Sequence, residues 1–152
     1  MEKGSGSFAN SIVSSPILQK ICNHFGLGHE ETLTGFKYVS RVSDLKFGYE
    51  EALGFLVTPN SVRDKDGITS ALAIISLANL LAKKGETLID YLQNIYSTVG
   101  AFSSRQLTKS LQPGSTGATI TDAFRAKKIK NIGSSLVTRM DDFQTGKDGF
   151  PP

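Results

Sequence analysis

Two short stretches hold the residues best suited to chemistry. Gly48-Tyr49-Glu50-Glu51-Ala52 is a turn with two adjacent carboxylates, and Arg63-Asp64-Lys65-Asp66-Gly67 begins eleven residues after it. Carboxylates accept hydrogen bonds from hydroxyls, while Arg63 and Lys65 can meet an anion. The combination suits a hydroxyl-rich anionic ligand. Charged residues are mostly exposed, so two solvated surface turns would give the same pattern.

The elements that must position these turns can be read in order. Phe8–Ser14, with Phe8, Ile12 and Val13, reads as a short buried strand. Ser15-Pro16 gives a helix start with Ser as N-cap and Pro at the first helical position. Ile17, Leu18, Ile21, Cys22 and Phe25 follow at helical spacing, and Gly26 closes the helix. Glu30–Thr34 reads as a second strand and Leu45–Tyr49 as a third, ending at the carboxylate turn. Open α/β sheets place ligands at such strand ends. Leu53–Val57 is a further short apolar stretch, broken by Pro59-Asn60.

Asp66-Gly67 leads into a helix running to about Lys84. Its polar residues Thr69, Ser76, Asn79 and Lys83 fall on one narrow stripe, which predicts a mostly buried core helix. Thr87-x-x-Asp90 is a capping-box start for the next helix, whose face of Leu88, Tyr91, Leu92, Ile95, Tyr96 and Val99 reads as core. Gly100–Gly117 turns polar and Gly/Ser/Thr-rich, with a Pro113-Gly114 turn. Thr119–Lys130 reads as a helix and Ser135–Met140 as a strand. The tail through Asp141-Asp142, Gly146, Gly149 and Pro151-Pro152 holds little apolar material and reads as truncated.

Bulk properties narrow the classes. The chain has 152 residues, 39% hydrophobic and 20% charged, which suits one globular domain or one domain with an appendage. Met1–Ser7 lacks the apolar stretch of a signal peptide, and Ile68–Ala82 is short for a bilayer span. A soluble, cytoplasmic protein is expected, with no membrane partner. Cys22 is the lone cysteine, expected as a buried inert thiol. His24 and His29 flank a helix end without a second ligand pair, so solvated turn histidines are expected and no metal site. The net charge is +3, with 9 Lys and Arg against 10 Asp and Glu in residues 1–100, and 8 against 4 in residues 101–152. No internal repeat, P-loop or dinucleotide signature occurs.

Four stretches in order, Phe8-Ala9-Asn10-Ser11-Ile12-Val13-Ser14-Ser15, Glu31-Thr32-Leu33-Thr34-Gly35-Phe36-Lys37, Gly48–Ala52 and Arg63–Gly67, resemble the third domain of the α-D-phosphohexomutases, the phosphoglucomutase/phosphomannomutase enzymes. The resemblance covers roughly residues 7–100, and residues 101–152 resemble the opening of the fourth domain. It implies an α/β chain: a three-layer α/β/α domain with a small mixed sheet over residues 1–100, a linker over 101–117, and an incomplete α+β start of the fourth domain over 118–152.

In this family a phosphoserine on the first domain phosphorylates a sugar phosphate, forming a bisphosphate that reorients and returns the other phosphate. A magnesium ion on the second domain assists, and a glucose 1,6-bisphosphate-type activator belongs to the cycle. The third domain recognises the sugar. The resemblance implies that Glu50 accepts hydrogen bonds from the sugar's 3- and 4-hydroxyls and that Thr34 and Gly35 approach the ring by backbone contacts. Ala52 stands where many members have Ser and supplies no hydroxyl. Lys37 and Lys65 resemble basic residues near the pocket, with Arg63 a further candidate. Glu51, Asp64 and Asp66 are expected to organise loops or cap the following helix.

The sequence contains no Thr-Ala-Ser-His-Asn-Pro-like phosphoserine loop, no Asp-Gly-Asp metal loop and no Arg-x-Ser-Gly-Thr phosphate loop. Phosphoryl transfer needs a phosphorylated nucleophile and charge compensation. A sugar-recognition fragment of a mutase, inactive alone and partnered by the remaining mutase domains, is therefore expected, with no catalytic residue of its own. A stand-alone sugar-phosphate binder is the alternative. A nucleic-acid module is disfavoured: Arg125, Lys127, Lys128 and Lys130 cluster at one helix end without an aromatic platform.

Overall fold

The computed structural model describes residues 6–52, 54–108, 110–127 and 129–146. They divide into two compact units, one up to Ser104 and one from Arg105. The Met1–Ser5 lead-in, Leu53, Lys128, Gly149 and the closing prolines lie outside the described residues.

The first unit is built on a four-stranded sheet: β1 (Ser7–Ser11), β2 (Gly28–Thr32), β3 (Leu45–Glu50) and β4 (Gly54–Leu56), in the order β2-β1-β3-β4. β1 runs parallel to both β2 and β3, and β4 returns antiparallel to β3. Three strand ends, Ser11, Thr32 and Glu50, thus share one edge of the sheet. The α1 helix (Ile17–Phe25) joins β1 to β2, and the short α2 (Phe36–Val39) joins β2 to β3.

Side-chain alternation decides which face each helix covers. Ala9, Gly48 and Leu56 meet Phe36, Val39 and Val42 of the α2 segment, forming the buried cluster of the unit. Phe47 and Tyr49 point the other way, with Phe8 and Phe55 beside them at ring separations of 6.1 to 6.4 Å. Leu45 joins the α2 cluster despite its odd position because the β1–β3 register slips by one residue: Ser7 pairs with Leu45, but Phe8 pairs with Phe47. The extra residue turns Leu45 inward.

Helix ends follow their chemistry. Gly26 takes a left-handed conformation (φ +66°) and its amide donates to the Cys22 carbonyl, closing α1 as expected. Pro16 precedes α1 instead of occupying its first turn, and the Ser15 hydroxyl accepts from the Ile17 amide at 3.4 Å. Cys22 is fully buried and burial pushes its thiol upward, as expected for an inert thiol. The α4 helix (Leu88–Val99) starts with a reciprocal box: the Asp90 amide donates to the Thr87 hydroxyl, and the Thr87 amide donates to the Asp90 carboxylate.

The α3 helix (Gly67–Ala82) overturns the expectation of a mostly buried core helix. Only Leu81 is buried, whereas Ile68 is 77% exposed and Leu72, Ile74, Ile75 and Leu80 are exposed. The α4 face is likewise not core: Leu88, Tyr91 and Leu92 are exposed, and Ile95, Tyr96 and Val99 are half-buried. Apolar residues around a helix specify a need for cover, not what supplies it. Among the described residues no helix is long and apolar enough to cross a membrane.

The second unit holds α5 (Gly117–Lys127) and a hairpin of β5 (Asn131–Ile132) and β6 (Ser135–Leu136). The expected Ser135–Met140 strand keeps only its first two residues. Arg125 grips Asp142 with two bonds of 2.6 and 3.0 Å and Asp122 with a third of 2.7 Å, which lowers the Asp142 carboxyl below its usual range.

Candidate functional site

The site is assembled where β3 ends. Glu50 lies on the α2 face of the sheet, only 7% exposed, and its Oε1 accepts the Gly35 amide at 2.6 Å. Gly35 holds φ +122°, a conformation L side chains rarely adopt, and that rotation aims its amide at the strand end. Thr34 is the exposed residue before it, and Ala52 is exposed in the turn that follows Glu50.

Phe36 links this corner to the second motif. Its buried ring packs on Gly54, where an added Cβ would sit 2.5 Å from Phe36 Cε2. Lys65 Nζ lies 5.3 Å from the centre of the same ring, a cation–π distance. The Phe55 carbonyl accepts the Asp66 amide at 2.9 Å, fixing the returning loop against β4. Glu50 and Gly35 are thus bonded, Thr34 and Ala52 lie close to them in the chain, and Lys65 lies over the ring of the residue after Gly35. Lys37 lies exposed over the Tyr38 ring at 4.9 Å, and Arg63 is exposed in the loop. Neither hydrogen-bonds to Glu50 among the described residues.

The neighbouring acids organise loops, as their positions suggested. Glu51 Oε1 accepts the Ser15 amide at 2.8 Å, tying the β3 end to the start of α1. Tyr49 donates its hydroxyl to the Ser15 carbonyl at 3.5 Å, and burial, with the Glu51 charge second, pushes its phenol up to about 12. Consecutive carboxylates thus hold two different loops. The Asp64 carboxylate accepts the Lys65 amide at 2.7 Å.

Asp66 caps α3, accepting from the Ile68 amide at 2.9 Å and the Thr69 hydroxyl at 2.8 Å. The Thr69 bond first, then the Ile68 amide, lower its carboxyl below the ordinary value. Ionised Asp66 thus adds stability that is fully present above the ordinary carboxylate range. That stability is lost as pH falls through the lowered folded-state value. Asp66→Asn should reduce the acid-induced drop in melting temperature between about pH 5 and pH 2. An equally steep drop in the variant would assign the acid sensitivity to other carboxylates.

His29 departs from expectation. It stands in β2, half-buried, with Nε2 2.6 Å from Asn10 Oδ1, and burial lowers its pKa. Asn10 is itself buried and donates to the Ser11 carbonyl at 3.0 Å. Only the parallel register, which sets Phe8 beside His29, brings the two together; their separation in sequence carries no such signal.

Chemically, the corner holds a carboxylate acceptor whose glycine-amide partner is already engaged, and an exposed lysine amine over the Phe36 ring. A carboxylate has about four lone-pair sites, so one bond from Gly35 leaves capacity for hydroxyl donors. Among the described residues no group of three or more His, Cys, Asp or Glu is placed to hold a metal ion.

A mixed sheet with helices between its strands and a polar corner at the parallel strand ends is the layout of an α/β/α domain. Residues 1–99 match the family described as phosphoglucomutase/phosphomannomutase, alpha/beta/alpha domain III, and the chain belongs to that family. It is 50% identical over 103 residues to the Haemophilus influenzae protein named "Probable phosphomannomutase", covering 68% of this chain and 21% of that protein. Identity to the Staphylococcus epidermidis phosphoglucomutase is 33% over 148 residues, covering 90% of this chain and 27% of the relative. The chain spans about a quarter of the length of these curated relatives. A solved Thermus thermophilus structure, titled "putative phosphomannomutase", superposes with a TM-score of 0.55 at 22% identity, over 63% of this chain and 22% of that one. That likeness bears on the fold alone.

Proposed function

We propose that this chain is the sugar-recognition part of a phosphohexomutase that interconverts sugar 1-phosphates and 6-phosphates through a phosphoserine and a bisphosphate intermediate. The single observation that carries this reading is Glu50, at the end of β3 and bonded to the Gly35 amide, in a chain of this family. Glu50 accepts the ring hydroxyls, Thr34 and Gly35 border the ring, and Lys65 faces the anionic side. Ala52 adds surface without a hydroxyl. Lys37 and Arg63 serve as outer cations that attract the phosphate.

The phosphoserine, the magnesium ligands and the grip on the non-reacting phosphate are supplied by other mutase domains, which are the chain's partners. When bound there, magnesium provides charge compensation for phosphoryl transfer. A bisphosphate activator and a cytoplasmic setting follow from the same reading. Alone, the chain binds sugar phosphate weakly, with a Kd on the order of 1 mM, because few contacts offset the loss of ligand freedom.

A coupled assay for conversion of glucose 1-phosphate to glucose 6-phosphate should give no turnover with the purified chain. Calorimetric titration with glucose 6-phosphate and mannose 6-phosphate should give weak isotherms that Glu50→Gln weakens further. Turnover would refute the dependence on other domains. Submicromolar binding without turnover would favour a stand-alone sugar-phosphate binder.

A further inference from the structure

Glu50 is a buried acid that accepts a backbone donor from another loop. The Gly35 amide reaches it at 2.6 Å across fifteen residues of sequence, from a φ of +122°. The adjacent Phe36 ring is buried and packs against Gly54. A side chain at position 35 would strain that backbone and turn the amide away. Carboxylates left without their donor adopt other rotamers, and a hydroxyl acceptor rotated by tens of degrees no longer meets its ligand.

We propose that Gly35 is a positioning residue: its amide, aimed by a glycine-only backbone, orients the Glu50 carboxylate toward the sugar hydroxyls. Its amide is spent on the protein's own carboxylate, so Gly35 acts on the sugar through Glu50. The inference rests on the reading of Glu50 as hydroxyl acceptor.

Nitrogen-15 NMR of the purified 152-residue chain tests it. The Gly35 amide proton should resonate downfield, move upfield when acid protonates Glu50, and lose that movement in Glu50→Gln. A pH-insensitive Gly35 amide in the native chain overturns the proposal, and this measurement needs no variant that might misfold. Titration with glucose 6-phosphate and mannose 6-phosphate supplies the second arm. Glu50→Gln and Gly35→Ala should each weaken binding about tenfold or more, the loss expected for a charge-assisted bond. Unchanged binding in Glu50→Gln, or none in the native chain, overturns the acceptor reading and the positioning role with it. Weakened binding in Glu50→Gln but native affinity in a folded Gly35→Ala overturns the positioning role alone.

Discussion

Phe36→Ala should lower the unfolding free energy by about 3–5 kcal/mol, the range for deleting a buried aromatic ring. Phe36 is 7% exposed and belongs to the cluster with Ala9, Val39, Val42, Leu45 and Leu56. Its ring lies against Gly54, which has no side chain to move into the gap. The cavity term therefore adds nearly in full to the transfer term. The variant should also lose the surface over which Lys65 sits at 5.3 Å. Urea unfolding followed by circular dichroism measures the first effect. A loss below about 1 kcal/mol would mean that the cluster repacks around the vacancy.

Gly48→Ala should destabilise by about 1–3 kcal/mol through overpacking. Gly48 is a buried β3 residue, and a Cβ there would lie 2.5 Å from Val39 Cγ1, closer than real side chains come. Val39 is itself fully buried and cannot swing aside. The reason for glycine at this place is therefore the room α2 needs above the sheet, not approach to a ligand. The double variant Gly48→Ala/Val39→Ala should recover part of the loss, with a coupling of about 0.5–3 kcal/mol in a double-mutant cycle. Strict additivity of the two changes would show that the clash is relieved by sheet movement.

The local chemistry of the chain was legible where one residue's own bonding decides the outcome. Gly26 as a helix stop, the Thr87–Asp90 box and Asp66 as a cap all follow from groups within a few residues of each other. The strands of the first unit were found with boundaries off by at most three residues, because alternation marks a strand better than its ends, whereas the Ser135–Met140 strand ran four residues too long and β5 was not anticipated. The two motifs that frame the candidate site were legible as residue types in order. What joins them was not: the Phe36 ring between Gly54 and Lys65 depends on the return of a loop, and the Glu51–Ser15 bond spans 36 residues. His29 was misplaced for the same reason, since its partner Asn10 is set by register across two parallel strands. The burial of α3 was misjudged on different grounds. Its composition describes the environment it prefers, and composition cannot say whether that environment lies within the same unit.

From Gly67 to Ala82 that helix carries sixteen residues without a single formal charge. Any association made through it gains from water released off Ile68, Leu72 and Ile75, and nothing in it is screened by ions. Such a contact should shrug off added sodium chloride yet loosen in the cold, the reverse of what an electrostatic seam would do.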